Sequence, residues 1–410
     1  MSEWQKVNLG DCCEITSSKR IFFSEYVESG IPFYRSKEII EKGKGEEISH
    51  PLYISKEKYD EIKGKYGVPQ KGDLLLTAVG SLGIPFVVKD DSPFYFKDGN
   101  LVWLKHFQDI DPIFLYYWIK SENGYNALYN IAIGSAQKAL TIAAIKGYEI
   151  PLPPLQTQHR IANILSRYDS LIENYQKQIK LLEEAAQRLY KEWFVDLHFP
   201  GHENAMIVDG VPEGWEKKKL CELFSFVRGK SYTSKELSDE GTIMVNLKNI
   251  QSFGGYKSDV EKHFIGTFKE EQTLMKGDLI MGVTDMTQER RLVGSVALIP
   301  DFKETATFSM DLIKLISFKL PNIYLYCAMR YGDVSRQIAP LANGVNVLHL
   351  KPEAISNIEM VVASDSIIEK FVSYTSKTIE NILSLQSQLR LLTEARDRLL
   401  PKLLSGEIEV

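Results

Sequence analysis

Three pairs of short segments carry polar side chains that suit contacts with nucleic acid, with one member of each pair in either half of the chain. Arginine and lysine donate to phosphate or guanine, and glutamine pairs bidentately with adenine. The candidate contact residues are Tyr34, Arg35, Ser36, Lys37, Gly80, Ser81, Ser135, Gln137 and Lys138 in the first half, and Asn246, Lys248, Asn249, Thr284, Thr287, Arg290, Arg291, Asn343 and Asn346 in the second. The pattern predicts loops and strand ends that meet phosphates or base edges.

Each pair also has a simpler interpretation. Gly134–Lys138 fits a solvated turn before a buried helix, and Tyr34–Lys37 fits the solvated face of a strand. Arg290 and Arg291 fit a plain surface charge pair. Different sequences in equivalent loops are, however, what two units that read different DNA half-sites would need.

Catalytic motifs are incomplete or absent in this sequence. The sequence DPIF at 111–114 has part of the DPPY-type loop of amino-methyltransferases, but it lacks the second proline, and no glycine-rich cofactor loop follows a strand. The phosphate-binding motif G-x-x-x-x-G-K-[ST] is absent. A Pro-Gly pair separates His198 from His202 and no cysteine is near, which argues against a zinc site. We therefore expect no catalytic residues and no metal site.

Length and composition are those of an ordinary water-soluble protein. The chain has 410 residues and a formal net charge of -5, which argues mildly against a nucleic-acid binder that works alone. No apolar run approaches a membrane span, and the N-terminus lacks the apolar stretch of a secretory signal. The four cysteines show no C-x-x-C spacing. These features predict a reduced, cytoplasmic protein.

The chain contains an internal repeat. Equivalent residues are Trp4 and Trp215, Leu9 and Leu220, Gly134 and Gly344, Leu140 and Leu350, and Glu149 and Glu359, and the run Lys71–Leu74 matches Lys276–Leu279. Each copy ends in a long amphipathic stretch. The repeat predicts the order globular unit, long helix, globular unit, long helix.

Both long stretches have the apolar spacing of a coiled coil. The first seam is Leu165, Tyr168, Ile172, Tyr175, Ile179, Leu182, Ala186, Leu189 and Trp193; the second is Ile368, Phe371, Thr375, Thr378, Ile382, Leu385, Leu389, Leu392, Arg396, Leu399 and Leu403. Pro153–Pro154 can start the first helix, and Ser366 with Glu369 can form a capping box for the second. Two threonines and one arginine are expected to weaken the second seam, and Pro401 to kink or end its helix.

The two helices are expected to pair antiparallel. The ends of a domain often lie close together, so the second globular unit would place the start of helix two beside the end of helix one. About 40 residues of helix make a rod of roughly 60 Å. The exposed faces of this rod would be the docking surface for partner subunits.

The sequence resembles the specificity subunits of type I restriction–modification systems. The resemblance covers both halves and is carried by the run GSAQKALTIAAIKGYEIPLPPLQTQHRIANIL at 134–165, the second opening VPEGWEKKKL at 211–220 and the ending LLPKLLSGEIEV. The second copy departs from it where IPLPPLQTQ is replaced by Met360–Asp365. The resemblance implies two target-recognition domains, separated by two long antiparallel helices.

The resemblance also implies the partners and cofactors. The partners would be double-stranded DNA, two adenine methyltransferase subunits and the restriction/translocase subunits. S-adenosylmethionine, ATP and Mg would belong to those subunits, so this chain would carry no cofactor and would meet no membrane. A coiled-coil adaptor between proteins, without DNA specificity, is the alternative function, and a fused enzyme would need a cofactor motif that the sequence lacks.

Together these observations predict an α+β fold with two similar mixed α/β recognition domains. The predicted segments are 1–150 (recognition domain 1), 151–197 (helix 1), 198–213 (linker), 214–363 (recognition domain 2), 364–404 (helix 2) and 405–410 (tail). A short aromatic helix is predicted at 111–121, and strands dominate the rest of each globular part.

Overall fold

Two helices of 40 residues each run through the chain, Leu155–Phe194 and Asp365–Leu404. They are seen in a computed structural model that describes residues 4–45, 48, 50–134, 138–258 and 262–410. Every residue of the first predicted seam is buried or half-buried, and so is every residue of the second. The predicted coiled-coil seams are therefore confirmed.

The predicted segments 151–197 and 364–404 are longer than the observed helices, but the first helix follows Pro153–Pro154 as predicted and the second ends at Leu404 as predicted. The first helix begins after Pro154, whose carbonyl accepts from the Gln158 amide at 3.1 Å. It cannot begin at 151, because Glu149–Leu152 forms a strand. The second begins after Ser364, whose carbonyl accepts from the Ile368 amide at 3.0 Å. The predicted capping box at Ser366 is thus wrong, since this serine already lies inside the first turn. Pro401 does not end the helix, which continues to Leu404.

Contacts divide the chain into two compact units. The first unit is Met1–Glu173 with Glu394–Val410, and the second unit is Asn174–Thr393. Each unit therefore contains part of both long helices, rather than the helices forming a separate body.

Within each unit the two helices run antiparallel. In the second unit, Phe194 near the end of helix one packs against Phe371 near the start of helix two, with ring centroids 4.9 Å apart. In the first unit, Asp169 near the start of helix one pairs with Arg396 near the end of helix two at 2.8 Å. Arg396 was expected to weaken the seam, but its charge is compensated by this carboxylate.

The globular part of the first unit contains two four-stranded sheets. In spatial order, the first sheet is Glu14–Thr16, Leu101–Lys105, Leu74–Thr77 and Pro85–Val87; the second is Tyr26–Val27, Leu52–Ile54, Ile31–Tyr34 and Tyr95–Phe96. A further strand pair, Gln5–Asn8 with Glu149–Leu152, joins the two ends of this part. The helices are Leu9–Cys12, Ser36–Gly43, Lys56–Tyr66, Pro112–Lys120, Glu122–Asn130 and Ile142–Lys146.

The second unit repeats this topology. Its first sheet is Phe224–Arg228, Leu312–Ser317, Leu279–Gly282 and Val296–Leu298; its second is Leu237–Ser238, His263–Phe264, Thr242–Val245 and Ala306–Phe308. Glu216–Lys219 pairs with Glu359–Val362 at the ends, and Thr284–Asp285 pairs with Leu348–His349. The α-helices are Leu220–Leu223, Asn322–Tyr331 and Val334–Ile338. In each second sheet one strand pair is parallel and the others are antiparallel.

The two copies of the predicted Lys-Gly-Asp-Leu repeat have the same turn conformation and equivalent hydrogen bonds. Gly72 has φ 91° and its amide donates to Val88 at 2.9 Å; Gly277 has φ 84° and donates to Ile299 at 2.8 Å. Both glycines occupy a backbone conformation that other residues rarely adopt. Each motif turns the chain into the middle strand of its sheet, so the internal repeat is one of structure as well as sequence.

The predicted linker at 198–213 contains its own hairpin. Ile207–Val208 pairs with Val211–Pro212 across Asp209 and Gly210, both with positive φ. Asp-Gly is the preferred pair for this two-residue turn, so the signal was present in the sequence. The predicted aromatic helix is confirmed at Pro112–Lys120, and the Asp111 carboxylate caps it by accepting from Ile113 and Phe114. None of the described helices has the length and apolar content of a membrane span.

Candidate nucleic-acid interface

In the second unit, the two predicted loops lie side by side. Thr284–Asp285 pairs with Leu348–His349, which places the loop holding Thr287, Arg290 and Arg291 beside the loop holding Asn343 and Asn346. The Gln288 side-chain amide donates to the Val345 carbonyl at 2.8 Å, so the two loops are joined directly. We call residues 284–291 with 343–347 the second loop cluster.

A buried carboxylate shapes the second loop cluster. Asp285 is 1% exposed and accepts from the Thr287 amide at 2.8 Å, from the Thr287 hydroxyl at 2.9 Å and from the Leu292 amide at 2.8 Å. Thr284 beside it is buried, while Thr287, Arg291, Asn343 and Asn346 are exposed. The loop is therefore held from inside, while its outer side chains are exposed to solvent.

Arg290 and Arg291 border an open cleft of about 870 Å³ in the second unit. Arg336 and Phe253 also line the cleft, and the Phe253 amide donates to the Arg291 carbonyl at 3.0 Å. Arg291 is paired with Glu289 at 2.7 Å. Several guanidinium groups in an open cleft suit the phosphates of a nucleic-acid backbone.

The first unit has an equivalent arrangement around Ala78. Its amide donates to the Asn100 carbonyl at 2.8 Å, and its carbonyl accepts from the Leu140 amide at 2.9 Å. In the second unit, Val283 donates to Asp311 at 2.9 Å and accepts from Leu350 at 2.8 Å. In both units these hydrogen bonds therefore hold the loop that follows strand Leu74–Thr77 or Leu279–Gly282 next to the loop that precedes Leu140 or Leu350. Asn100 and Asp311 were not singled out from the sequence, although each directly precedes an equivalent strand.

Gly80, Ser81 and Lys138 belong to this first loop cluster, which we define as residues 78–83 with 134 and 138. Gly80 and Ser81 are exposed, and Gly80 has φ 79°. The Lys138 ammonium lies 3.7 Å from the centre of the Tyr129 ring. Ser135 and Gln137 lie outside the residues that the structure describes, so their predicted contacts stay predictions.

Two tyrosines beside the first loop cluster were not predicted as site residues. Tyr125 and Tyr129 stack with ring centroids 6.1 Å apart, and both rings are partly exposed. Their spacing of four residues on Glu122–Asn130 could have indicated a shared helix face. With Lys138 they form an aromatic and cationic surface of the kind that single-stranded or phosphate-bearing ligands contact.

Tyr34–Lys37 occupies the corner between strand Ile31–Tyr34 and helix Ser36–Gly43. The Ser36 hydroxyl donates to the Asn100 carbonyl at 3.2 Å, which links this corner to the first loop cluster. Tyr34 is buried against Phe94, and burial raises the pKa of its hydroxyl.

Charges at this corner are already paired. The Arg35 guanidinium forms an ion pair with the buried Glu38, and Lys37 lies 3.6 Å from Glu41. Burial alone would raise the pKa of Glu38, but hydrogen bonds from the Arg35 side chain and backbone outweigh it and lower the pKa. Glu38 therefore positions Arg35, which keeps part of its guanidinium exposed.

The equivalent corner of the second unit holds Asn246, Lys248 and Asn249. Asn246 and Asn249 are buried, and their side chains cap the short turn Leu247–Asn249. The Asn246 side chain accepts from the Lys248 amide at 3.0 Å, while Asn249 accepts from the Asn246 amide at 3.0 Å. These hydrogen bonds give both asparagines a local structural task. Lys248 is exposed.

The chain is similar to several known proteins. The family model described as "Type I restriction modification DNA specificity domain" matches residues 1–184. The type I restriction enzyme MjaIX specificity subunit of Methanocaldococcus jannaschii is 28% identical over 354 residues, covering 83% of this chain and 78% of that protein. The HindI specificity subunit of Haemophilus influenzae is 23% identical over the full length of both chains.

A solved structure shows the same fold. The type-I restriction-modification system S subunit from M. genitalium has a TM-score of 0.61 at 18% identity, covering 98% of this chain and 96% of that one. The duplicated α+β architecture with two long helices is thus shared along the whole length. Residues 1–184 match the type I restriction modification DNA specificity domain, and the chain as a whole is similar to type I restriction enzyme specificity subunits.

Proposed function

We propose that this chain gives a type I restriction–modification complex its DNA sequence specificity, with each loop cluster reading one half of an asymmetric, bipartite site. The observation that carries the proposal is the equivalence of the two frameworks. Ala78 and Val283 make the same two backbone hydrogen bonds, but the loops that follow them have different sequences. One framework with two sets of exposed side chains suits two different half-sites.

The chemistry of the clusters supports a duplex DNA ligand. The second loop cluster offers exposed asparagine and arginine side chains, which pair with adenine and guanine in the major groove. The neighbouring arginine-lined cleft offers phosphate contacts, which position a protein on DNA without carrying sequence information.

The chain's role in the complex is proposed to be non-catalytic. Its partners would be two methyltransferase subunits and the restriction/translocase subunits, and S-adenosylmethionine, ATP and Mg would be held by those subunits. The exposed faces of the long helices are the proposed docking surface, and the cytoplasm, where the DNA is, is the proposed location. An adaptor without DNA specificity would account for the helices, but not for the matched loop clusters.

The test is selection of DNA from a random pool. The full chain, assembled with its methyltransferase subunits, should enrich duplexes with two short fixed sequences separated by a gap of constant length. Affinity should fall between 50 and 200 mM salt, since phosphate contacts release counterions. The proposal would be contradicted if no sequence became more frequent than in the starting pool, or if binding were insensitive to salt.

A further inference from the structure

Two large apolar side chains are exposed at the tips of the second loop cluster. Val345 is 88% exposed and Met286 is 76% exposed. They lie among polar candidates, with Thr287 next to Met286 and Asn346 next to Val345. Single exposed apolar residues are common on protein surfaces, so exposure alone indicates no role.

The backbone at Val345 is built to hold this side chain outward. A Cβ on Gly344 would lie 1.9 Å from the Val347 carbonyl oxygen, so only glycine fits the turn. The Val345 carbonyl accepts the hydrogen bond from Gln288, and the Asn343 amide and carbonyl both bond to His349. A loop fixed on both sides presents an apolar side chain at little entropic cost when a ligand binds.

Met286 is presented in a similar way. It lies between Asp285, which is buried and accepts three hydrogen bonds, and Gln288, which reaches the neighbouring loop. The two apolar tips therefore belong to one surface.

The major groove of DNA displays one apolar group, the 5-methyl of thymine, and apolar side chains contact it. We propose that Val345 and Met286 contact the 5-methyl group of thymine in the half-site read by the second unit. This inference rests on the proposed function. A protein partner is less well matched, because the two tips are surrounded by exposed polar side chains of Thr287, Asn343 and Asn346.

The test removes the methyl group from the DNA. Once the half-site is mapped, each of its thymines is replaced in turn by deoxyuridine, and binding by the full chain with its methyltransferase subunits is measured. Losing one buried methyl should weaken binding about fourfold, at one or two positions. The same replacement in the half-site of the first unit serves as the DNA control.

Protein variants, combined with the deoxyuridine replacements, give a double-mutant cycle for each contact. Val345→Ala should weaken binding to the thymine site, and should then show no further loss when the contacted thymine becomes deoxyuridine, because the two changes remove one contact. Met286→Ala is expected to behave likewise at its own position. Val361→Ala is the matched control, an exposed valine of the same unit in strand Glu359–Val362.

Several results would overturn the inference. They are a second half-site without thymine, deoxyuridine replacements that cost nothing, or a Val345→Ala loss that appears equally on all DNA and on assembly with the methyltransferase subunits. The last result would make the tips a protein interface. If the unaltered complex shows sequence-specific binding while the replacements are silent, only this inference fails. If it shows no specific binding, the proposed function fails too.

Discussion

Glu38 and Asp285 show how single buried carboxylates prepare the exposed side chains around them. Glu38 accepts from the Arg35 backbone at 2.8 Å and pairs with its guanidinium, and Asp285 fixes the start of the second loop cluster. Neither residue is placed to meet DNA itself. Each determines where a neighbouring candidate contact points, so each belongs to the site through positioning.

The Glu38 pair predicts a pH dependence. Because the folded-state pKa of Glu38 lies below its ordinary value, the pair stabilises the first unit fully above about pH 4.5, and this contribution is lost as pH falls through the folded-state pKa. Glu38→Gln should destabilise helix Ser36–Gly43 at neutral pH and flatten the acid dependence of its hydrogen exchange. Glu41→Gln, on the same helix, is the control. An unchanged acid profile in Glu38→Gln would show that the pair contributes nothing.

Residue types indicated which segments were candidates, but not which side chains would be free. Asn246 and Asn249 have the chemistry of base readers, and the structure buries both as caps. Their burial depends on strands that lie far away in sequence, which no local pattern contains. Asn100 and Asp311 were missed because their contribution comes from backbone carbonyls, for which any residue type serves.

The long helices are tied to the globular parts by buried polar contacts as well as by their apolar seams. Asp169 accepts from the Tyr117 hydroxyl at 2.7 Å in the first unit, and Glu183 pairs with Arg330 at 2.8 Å in the second. In the second unit the Arg390 side chain also donates to the Phe302 carbonyl at 2.9 Å. These contacts fix each globular part to the helix segments within its own unit.

Breaking the Glu183–Arg330 pair should destabilise the second unit. Removing one partner of a buried ion pair typically costs about 3–5 kcal/mol, because the other charge stays buried, whereas replacing both by apolar groups is often nearly neutral. Glu183→Leu and Arg330→Met should each speed hydrogen exchange in helix Asn322–Tyr331, and the double variant should recover most of the protection. Single variants that exchange like the unaltered chain would rule out a structural role for the pair.

The two seams are near-equivalent, which predicts the behaviour of half the chain. A fragment that ends at Glu213 leaves Leu165, Ile172 and Ile179 without the second helix. Burial of this seam should drive the fragment to dimerise and, with methyltransferase subunits, to direct methylation of two copies of one half-site. Sedimentation as a soluble monomer would argue against equivalence, as would an asymmetric methylation pattern.

Helix positions could be predicted because their signal is local and repeated, and the seam spacing located both within a few residues. The predicted segment of the first helix began too early, at 151, although Pro153–Pro154 was named as its possible start, and that of the second began at 364. The first starts shortly after strand Glu149–Leu152 ends, and the second begins after Ser364, which follows strand Glu359–Val362. Strand pairing, which decides both starts, is a long-range property. The antiparallel pairing was predictable because it follows from chain connectivity.

At the scale of the molecule, the first tryptophan of each copy packs near the residues that follow the other copy's long helix. Trp215 packs against Phe199, which follows the first long helix, and a Cβ on Gly406, which follows the second, would lie 3.3 Å from the Trp4 ring. Each tryptophan therefore opens its own copy and packs on the chain that leaves the other copy's helix. This relation gives the two tryptophans an equivalent structural role at the start of their copies.

Exchange of one recognition segment should change one half-site. Replacing residues 214–363 by the equivalent segment of a relative, while keeping Arg330 for its contact with Glu183, preserves the anchor on the helix. The methylated half-site read by the first unit should be unchanged and the other should become that of the donor. If both half-sites change together, the two units do not read independently.

We propose that the two units read their half-sites independently and that the length of the long helices determines the gap between those half-sites. The most direct test maps methylated adenines in cells that carry the system, with the unaltered chain and with seven residues inserted after both Ile179 and Leu389. Seven residues keep the heptad phase and lengthen each helix by about 10 Å, which corresponds to at most about three base pairs. We expect an asymmetric bipartite site in the first map, and in the second the same half-sites with a longer gap and weaker modification, since about three base pairs rotate one half-site by about 100°. A continuous or palindromic site in the first map, or an unchanged gap in an assembled insertion variant, would contradict the account.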